Sequence, residues 1–277
     1  MAVTQLFDKY SVCGKTDCGR AREHNEDALL INKNSGTILL ADGMGGYLYG
    51  DKASFETTRL VDQLIDRYLP LRHPVSERAG FWRKLTGLFG NIANTEQQQM
   101  LALQCQLIGD ILLETNQAIY ELNLRAGLNS GERMGTTLVG CKLHPEAMSM
   151  PVFHVGDSRL YCFRNGRLAQ ITKDHSLYQL WLDNGGMGER PGSHAIWQAI
   201  GPDPDISPDI QWVDVLSGDT FLLCSDGLSN MVDDAEIGEV LADCNRANIE
   251  EKTQQLIDMA NQNGGKDNIS VILIHLQ

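Results

Sequence analysis

Two segments, Leu39-Leu40-Ala41-Asp42-Gly43 and Leu222-Leu223-Cys224-Ser225-Asp226-Gly227, share one design: an apolar strand delivers an aspartate that is followed at once by glycine. Each sets a carboxylate at a strand end and places glycine where the backbone must bend. Asp-Gly is also a favoured hairpin turn, and either segment taken alone reads first as turn chemistry. More acids stand at comparable transitions: Glu26-Asp27 before a strand, Gly156-Asp157 between two strands, and Lys266-Asp267-Asn268 before the last strand. Carboxylates gathered at one end of a sheet repel one another unless cations neutralise them. With no Cys/His cluster in the pattern, the cations selected are hard and oxygen-loving, magnesium or manganese. Whether these strand ends converge is a tertiary question that periodicity does not answer.

The rest of the chain bounds the alternatives. Its 277 residues allow one large domain or two small ones, and a 42% apolar, 21% charged composition with no depleted stretch favours one folded domain over residues 1–277. Met1 to Val12 lacks the basic start and apolar core of an export signal, and runs such as Ile269 to Leu276 fall short of a bilayer span. The seven cysteines (13, 18, 105, 141, 162, 224 and 244) are odd in number and form no C-x-x-C pair, which argues against a disulfide framework or a zinc knuckle. The expectation is a cytoplasmic protein without a membrane span. A formal charge of −13 repels nucleic acid and anionic lipid over most of the surface, so nucleic acid is excluded as the expected partner.

Ala28 to Ile31 and Thr37 to Ala41 flank the turn formers Asn32-Lys33-Asn34-Ser35-Gly36 and predict a hairpin. Leu60, Val61, Leu64, Ile65 and Tyr68 recur at helical spacing over Asp51 to Tyr68, with Pro70 as a stop. A second helix is expected from about Thr95, where Thr95-x-x-Gln98 resembles a capping box, with a stripe of Leu101, Cys105, Ile108, Leu112, Thr115, Ile119 and Leu122. Strands are predicted at Thr136 to Leu143, Pro151 to Val155, Arg159 to Phe163, Thr220 to Cys224 and Ile269 to Leu276, with a short helix after Asp174. Ile249, Thr253, Leu256, Ile257 and Ala260 mark a last helix that Gly264-Gly265 ends. Grouped strands alternating with grouped helices indicate an α+β fold.

Seven short motifs then stand in one order: Arg22-Glu23-His24-Asn25-Glu26-Asp27, Asp42-Gly43-Met44-Gly45-Gly46, Met134-Gly135-Thr136-Thr137, Gly156-Asp157-Ser158-Arg159, Thr172-Lys173-Asp174-His175-Ser176, Ser225-Asp226-Gly227 and Asp267-Asn268. In that order they resemble the PPM (type 2C) family of metal-dependent protein serine/threonine phosphatases, in its compact bacterial branch, from about Gly14 to Leu276. The resemblance implies a four-layer α-β-β-α sandwich, two central antiparallel sheets flanked by helix pairs, with the site at one end. It implies two Mn2+ or Mg2+ ions, with a third held weakly. Asp42 would bridge the pair, Gly43 would lend its carbonyl, Asp226 and Asp267 would bind the first ion, and Glu26 and Asp27 would act largely through waters. Asp157 would hold the third ion together with Asp226, although by itself it reads as a tight turn with Arg159 pairing on the surface. Arg22 would grip phosphate oxygens with its planar fork; outside the family it is a surface ion pair. The implied reaction is direct attack of a metal-bridging water on phosphoserine or phosphothreonine in signalling proteins, the targets of a serine/threonine kinase.

Thr136 and Thr137 read as packing behind that site, and His175 as a hydrogen-bonded loop residue outside it. Met44 stands where some relatives carry histidine, and Gln198 where many carry arginine. Residues 72–94 look like an insertion, basic and aromatic around Gly80 to Gly90, and Leu177 to Asp209 form a flap segment. Two rival functions remain: a catalytically weak phosphoprotein-binding regulator of the same fold, and a two-metal phosphodiesterase.

Overall fold

The computed structural model describes residues 3–44, 49–69, 92–146, 148–192 and 195–277. Twelve strands run in chain order: β1 (Thr4–Leu6), β2 (Tyr10–Asp17), β3 (Asp27–Asn32), β4 (Thr37–Met44), β5 (Gly135–Thr136), β6 (Leu138–Lys142), β7 (Ser149–Val155), β8 (Arg159–Arg164), β9 (Arg167–Gln170), β10 (Asp209–Asp214), β11 (Thr220–Cys224) and β12 (Ile269–Leu276). The helices are α1 (Gly50–Tyr68), α2 (Ile92–Arg125), α3 (Leu177–Asp183), α4 (Asp226–Ser229), α5 (Asp234–Leu241) and α6 (Ile249–Gln262). One sheet has the order β1-β2-β12-β11-β8-β9 and the other β10-β7-β6-β4-β3, with β5 attached to β4. Every strand pairing is antiparallel.

Strand parity builds the layers. Successive side chains leave a strand on opposite faces, so a run that is apolar throughout has two surfaces to bury. Ile38 and Leu40 on β4 join Phe221 and Leu223 on β11 and Ile272 and Ile274 on β12 in a cluster between the sheets. The alternate residues turn outward. Leu39 and Ala41 meet Val61 and Ile65 of α1 and Ile108, Leu112 and Ile119 of α2, while Leu222, Val271 and Leu273 meet Ile237 of α5 and Leu256 and Ile257 of α6. The α+β class, the two antiparallel sheets and the four-layer order therefore follow the sequence expectation, and covering both faces explains why these antiparallel strands read as unbroken apolar runs.

Two local expectations need correction. On α1 the buried face is Ala53, Ser54, Thr57, Thr58, Val61 and Ile65, whereas Tyr68 is exposed, because small hydroxyl residues let the helix sit close to the sheet. α2 starts at Ile92, so Thr95 lies inside the helix rather than capping it. Its buried stripe carries Asn116 and Asn123, which donate to the carbonyls of Asp203, Pro204, Met134 and Gly201 and so tie the helix to the last part of the flap segment and to the residue before β5. The insertion expected at 72–94 lies outside the described residues except for 92–94, the start of α2.

Candidate metal centre

Strand register brings the acids to one end of both sheets. Asp27 opens β3 directly opposite Asp42 near the end of β4, and Gly43 pairs with Thr136. In the same sheet Leu138 faces Val155, so the start of β6 and the end of β7 share that edge, and Gly156-Asp157 crosses from there to β8 in the second sheet. In the second sheet Arg159 faces Cys224, and Cys224 faces Val271, which places Asp226 after β11 and Asp267 before β12 beside the same crossing. Asp42, Asp27, Asp226, Asp157 and Asp267 thus come together, although up to 240 positions separate them in the sequence.

Neither Asp-Gly step is a hairpin turn. Asp42-Gly43 continues β4 toward β5, and Asp226-Gly227 opens α4. Neither glycine has a positive φ, so a bend is not what requires it. The requirement is space. A Cβ on Gly43 would lie 2.2 Å from the Gly50 carbonyl oxygen, and one on Gly227 would lie 2.0 Å from that of Asn268.

Burial, with neighbouring charge added to it, raises the pKa of several of these acids. Burial and then the charges of Asp27, Asp226, Asp157 and Asp267 push Asp42 well above the carboxylate range. Burial, with Asp226 and Asp267 adding to it, lifts Asp27 to about 7 against hydrogen bonds that favour its ionised form. Asp157 also rises to about 7, through burial first and then Asp226 and Asp174. Glu26 is raised by burial, which Arg22 partly offsets. Asp27 Oδ2 accepts from Ser225 Oγ at 3.0 Å, yet Oδ1 is shielded from solvent with no hydrogen-bond partner. A shielded, unpartnered carboxylate oxygen among four further aspartates fits a hard divalent cation.

Several residues of the motifs support the acids through contacts that only the fold brings about. Asn268 is 5% exposed; it accepts from Glu26 N–H at 2.8 Å and donates to the carbonyls of Cys18 at 3.0 Å and His24 at 2.9 Å. One amide therefore ties the loop of Arg22, Glu26 and Asp27 to the base of β12. Thr137 Oγ1 accepts from Asp42 N–H at 3.0 Å and pairs with Ser158 Oγ at 2.7 Å, and Thr136 Oγ1 donates to the Asp42 carbonyl at 2.9 Å. The two threonines lie behind Asp42 and fix its backbone. Arg22 is half-exposed and donates from Nη2 to Asp267 Oδ2 at 2.7 Å. Residues 45–48, including the last two glycines of the second motif, lie outside the described residues.

Because Asn268 has three loop partners, replacing it with alanine should weaken manganese binding by about 10–100-fold, the usual cost of losing an outer support, with the fold retained. A calorimetric titration of Asn268→Ala with wild-type affinity would mean the loop is held by other contacts.

Comparison with known proteins places this geometry in context. A family profile described as protein phosphatase 2C matches residues 16–273. A serine/threonine phosphatase, stp, of Listeria monocytogenes is 33% identical over 269 residues, covering 94% of this chain and 93% of its own. The crystal structure of the Mycobacterium tuberculosis serine/threonine phosphatase PstP/Ppp superposes with a TM-score of 0.76 at 27% identity, covering 97% of this chain and 99% of its own. The catalytic domain of the serine/threonine phosphatase PstP, solved in complex with 2 manganese ions, gives 0.74 at 28% identity, with 97% and 98% covered.

Proposed function

The chain belongs to the protein phosphatase 2C family, and on that premise we propose how its parts share the work of a metal-dependent protein serine/threonine phosphatase. Asp42, Gly43, Asp27, Glu26, Asp226 and Asp267 hold two manganese or magnesium ions, and Asp157 with Asp226 holds a third more weakly. What supports this assignment is the convergence of Asp157, Asp226 and Asp267 on the buried Asp27 and Asp42, whose pKa values burial and these neighbouring charges raise, around an unpartnered Asp27 oxygen, since such repulsion is relieved by divalent cations. Bound there, the ions would supply Lewis-acid polarisation of a phosphoryl group and would lower the pKa of a nucleophilic water.

The protein's own groups orient that chemistry. Arg22 spends one nitrogen on Asp267, and a guanidinium carries five N–H donors, so the fork retains donors for two phosphate oxygens. Thr136 and Thr137 keep Asp42 fixed while charge on the phosphate redistributes. Met44 has no proton to give to the leaving alkoxide. We read the chain as one catalytic domain with a flap at 177–209, acting in the cytoplasm on phosphoproteins made by a serine/threonine kinase. Seven cysteines, odd in number and without a C-x-x-C pair, suit a reducing compartment, and no helix among the described residues is long and apolar enough to cross a membrane.

The test is hydrolysis of a phosphothreonine peptide with and without manganese. Turnover should require the added ion and vanish in EDTA. Activity surviving complete chelation, or turnover of cyclic dinucleotides but not phosphopeptides, would remove this reading.

A further inference from the structure

The second half of the molecule contains a linkage that the metal assignment does not use. His175 joins the turn that carries Asp157 at two points: its N–H donates to the Gly156 carbonyl at 2.9 Å, and its Nδ1 accepts from Gly156 N–H at 3.1 Å. Gly156 needs that support, because its φ of +101° belongs to the region that side chains avoid. The preceding residue, Asp174, holds the other end of the same turn. Arg159 donates Nε to Asp174 Oδ1 at 2.9 Å and Nη2 to Oδ2 at 2.7 Å, a bidentate pair with side chains 23% and 11% exposed. A single dipeptide, Asp174-His175, therefore grips both flanks of Asp157.

The flap reaches this grip through one side chain. Gln198 is 9% exposed, and its Nε2 donates to His175 Nδ1 at 2.7 Å and to the Ser207 carbonyl at 2.8 Å. Ser207 N–H donates to Gln198 Oε1 at 2.9 Å, which settles which way the amide faces. With Gly156 and Gln198 both donating to Nδ1, the imidazole is neutral and carries its proton on Nε2, 3.4 Å from Asp209 Oδ2. Backbone pairing seats the arm on both sides of Gln198: Trp197 N–H donates to the His175 carbonyl at 2.9 Å, and Ile200 and Thr136 exchange bonds at 2.9 and 3.0 Å.

His154, His175 and Asp209 have ligand atoms within 4.8 Å of one another, yet this trio is not a cation site. The two rings stack at 4.5 Å and 21°, so their in-plane lone pairs run side by side instead of converging. His154 Nε2 is also engaged with the Lys173 carbonyl at 2.8 Å. Stacked beneath His175, His154 serves as the floor on which the acceptor ring rests.

We propose that His175 and Gln198 are positioning residues that fix the Gly156–Arg159 turn from the flap side and so set where Asp157 presents its carboxylate to the weakly held cation. The inference rests on the assignment of Asp157 as a metal ligand. It makes the flap arm part of the metal site's support, so that any shift of Ser207 or Trp197 is felt at Asp157.

The experiment compares Gln198→Met, His175→Ala, His175→Asn and Asp157→Ala in the full chain. Three readouts are taken: manganese stoichiometry and affinity by calorimetry, kcat and KM on a phosphothreonine peptide, and Tm. Gln198→Met keeps the volume and removes the bonds, so it should weaken the last manganese by about 10–100-fold and lower kcat with KM within about twofold. His175→Ala should do the same, and His175→Asn, which keeps an acceptor near the Nδ1 position, should recover much of the loss. Combined with Asp157→Ala, Gln198→Met should add nothing, because both act through one carboxylate. If Asp157→Ala impairs manganese binding while Gln198→Met lowers only Tm, the positioning inference fails and the ligand assignment stands. If Asp157→Ala itself leaves the manganese count and turnover unchanged, both are overturned.

Discussion

Asp42→Asn is expected to lower kcat/KM on a phosphothreonine peptide by about 10³-fold or more, roughly 4 kcal/mol of transition-state stabilisation, while making the chelated protein more stable than wild type. Both effects have one cause. A carboxylate that would hold the cation pair is also the one that burial and four neighbouring aspartates raise when no cation is present. An acid whose folded pKa lies above its unfolded value stabilises the fold below about pH 4 and loses that contribution as pH rises through the folded value. Asp27 and Asp157, both at about 7, put the loss between about pH 4 and 7. The stability advantage of Asp42→Asn in EDTA should therefore be largest at pH 8 and shrink toward pH 5. His154, His175 and His275, whose pKa values are lowered by burial first, change stability in the opposite sense with pH, but they are common to both proteins and cancel in the difference. Thermal melts in EDTA at the two pH values, beside turnover at limiting manganese, measure this. Near-wild-type turnover, or a chelated variant less stable than wild type at pH 8, would mean that Asp42 is not at the centre of the cluster.

Gly227→Ala should be nearly as damaging although it removes no functional group. The added Cβ would sit 2.0 Å from the Asn268 carbonyl oxygen and 2.9 Å from its carbon, and backbone atoms cannot rotate out of the way. Either α4 lifts, taking Asp226 with it, or the start of β12 moves, taking Asp267. A displacement of about 1 Å in a reacting constellation costs on the order of 10²-fold in rate, and overpacking of this kind costs about 1–3 kcal/mol, several degrees in Tm for a chain of this length. Gly131→Ala is the control, since a Cβ there meets nothing within 4 Å and the residue has no positive φ. Manganese-dependent turnover and melting temperature of the two variants separate the outcomes. Wild-type values for Gly227→Ala would show that the two loops have slack and that the close approach is not what holds Asp226 in place.

Much of this molecule is written locally in its sequence. β12 is read to the residue from Ile269 to Leu276, because an eight-residue run apolar but for Ser270 and His275 follows the break at Asp267-Asn268, and the helical spacing over α1 and α6 is equally local. The acids at strand ends are legible for the same reason. β9 and β10 are not, since both lie at sheet edges with mostly exposed or half-buried residues and present no apolar stripe. Nor are the contacts that aim the acids. Asn268 and Thr137 stand inside motifs and Gln198 at a flap position, but their partners lie next to them only after the sheets are in register, so the bonds they make are not written in their own neighbourhood. The two Asp-Gly steps show the division most clearly. That a carboxylate and a glycine stand together at each strand end is legible locally, because alternation and composition are properties of neighbouring residues. Why glycine is there is a matter of the assembled sheets: another segment's backbone passes at a distance that leaves no room for a side chain, and that distance is set by the antiparallel register and the stacking of two sheets.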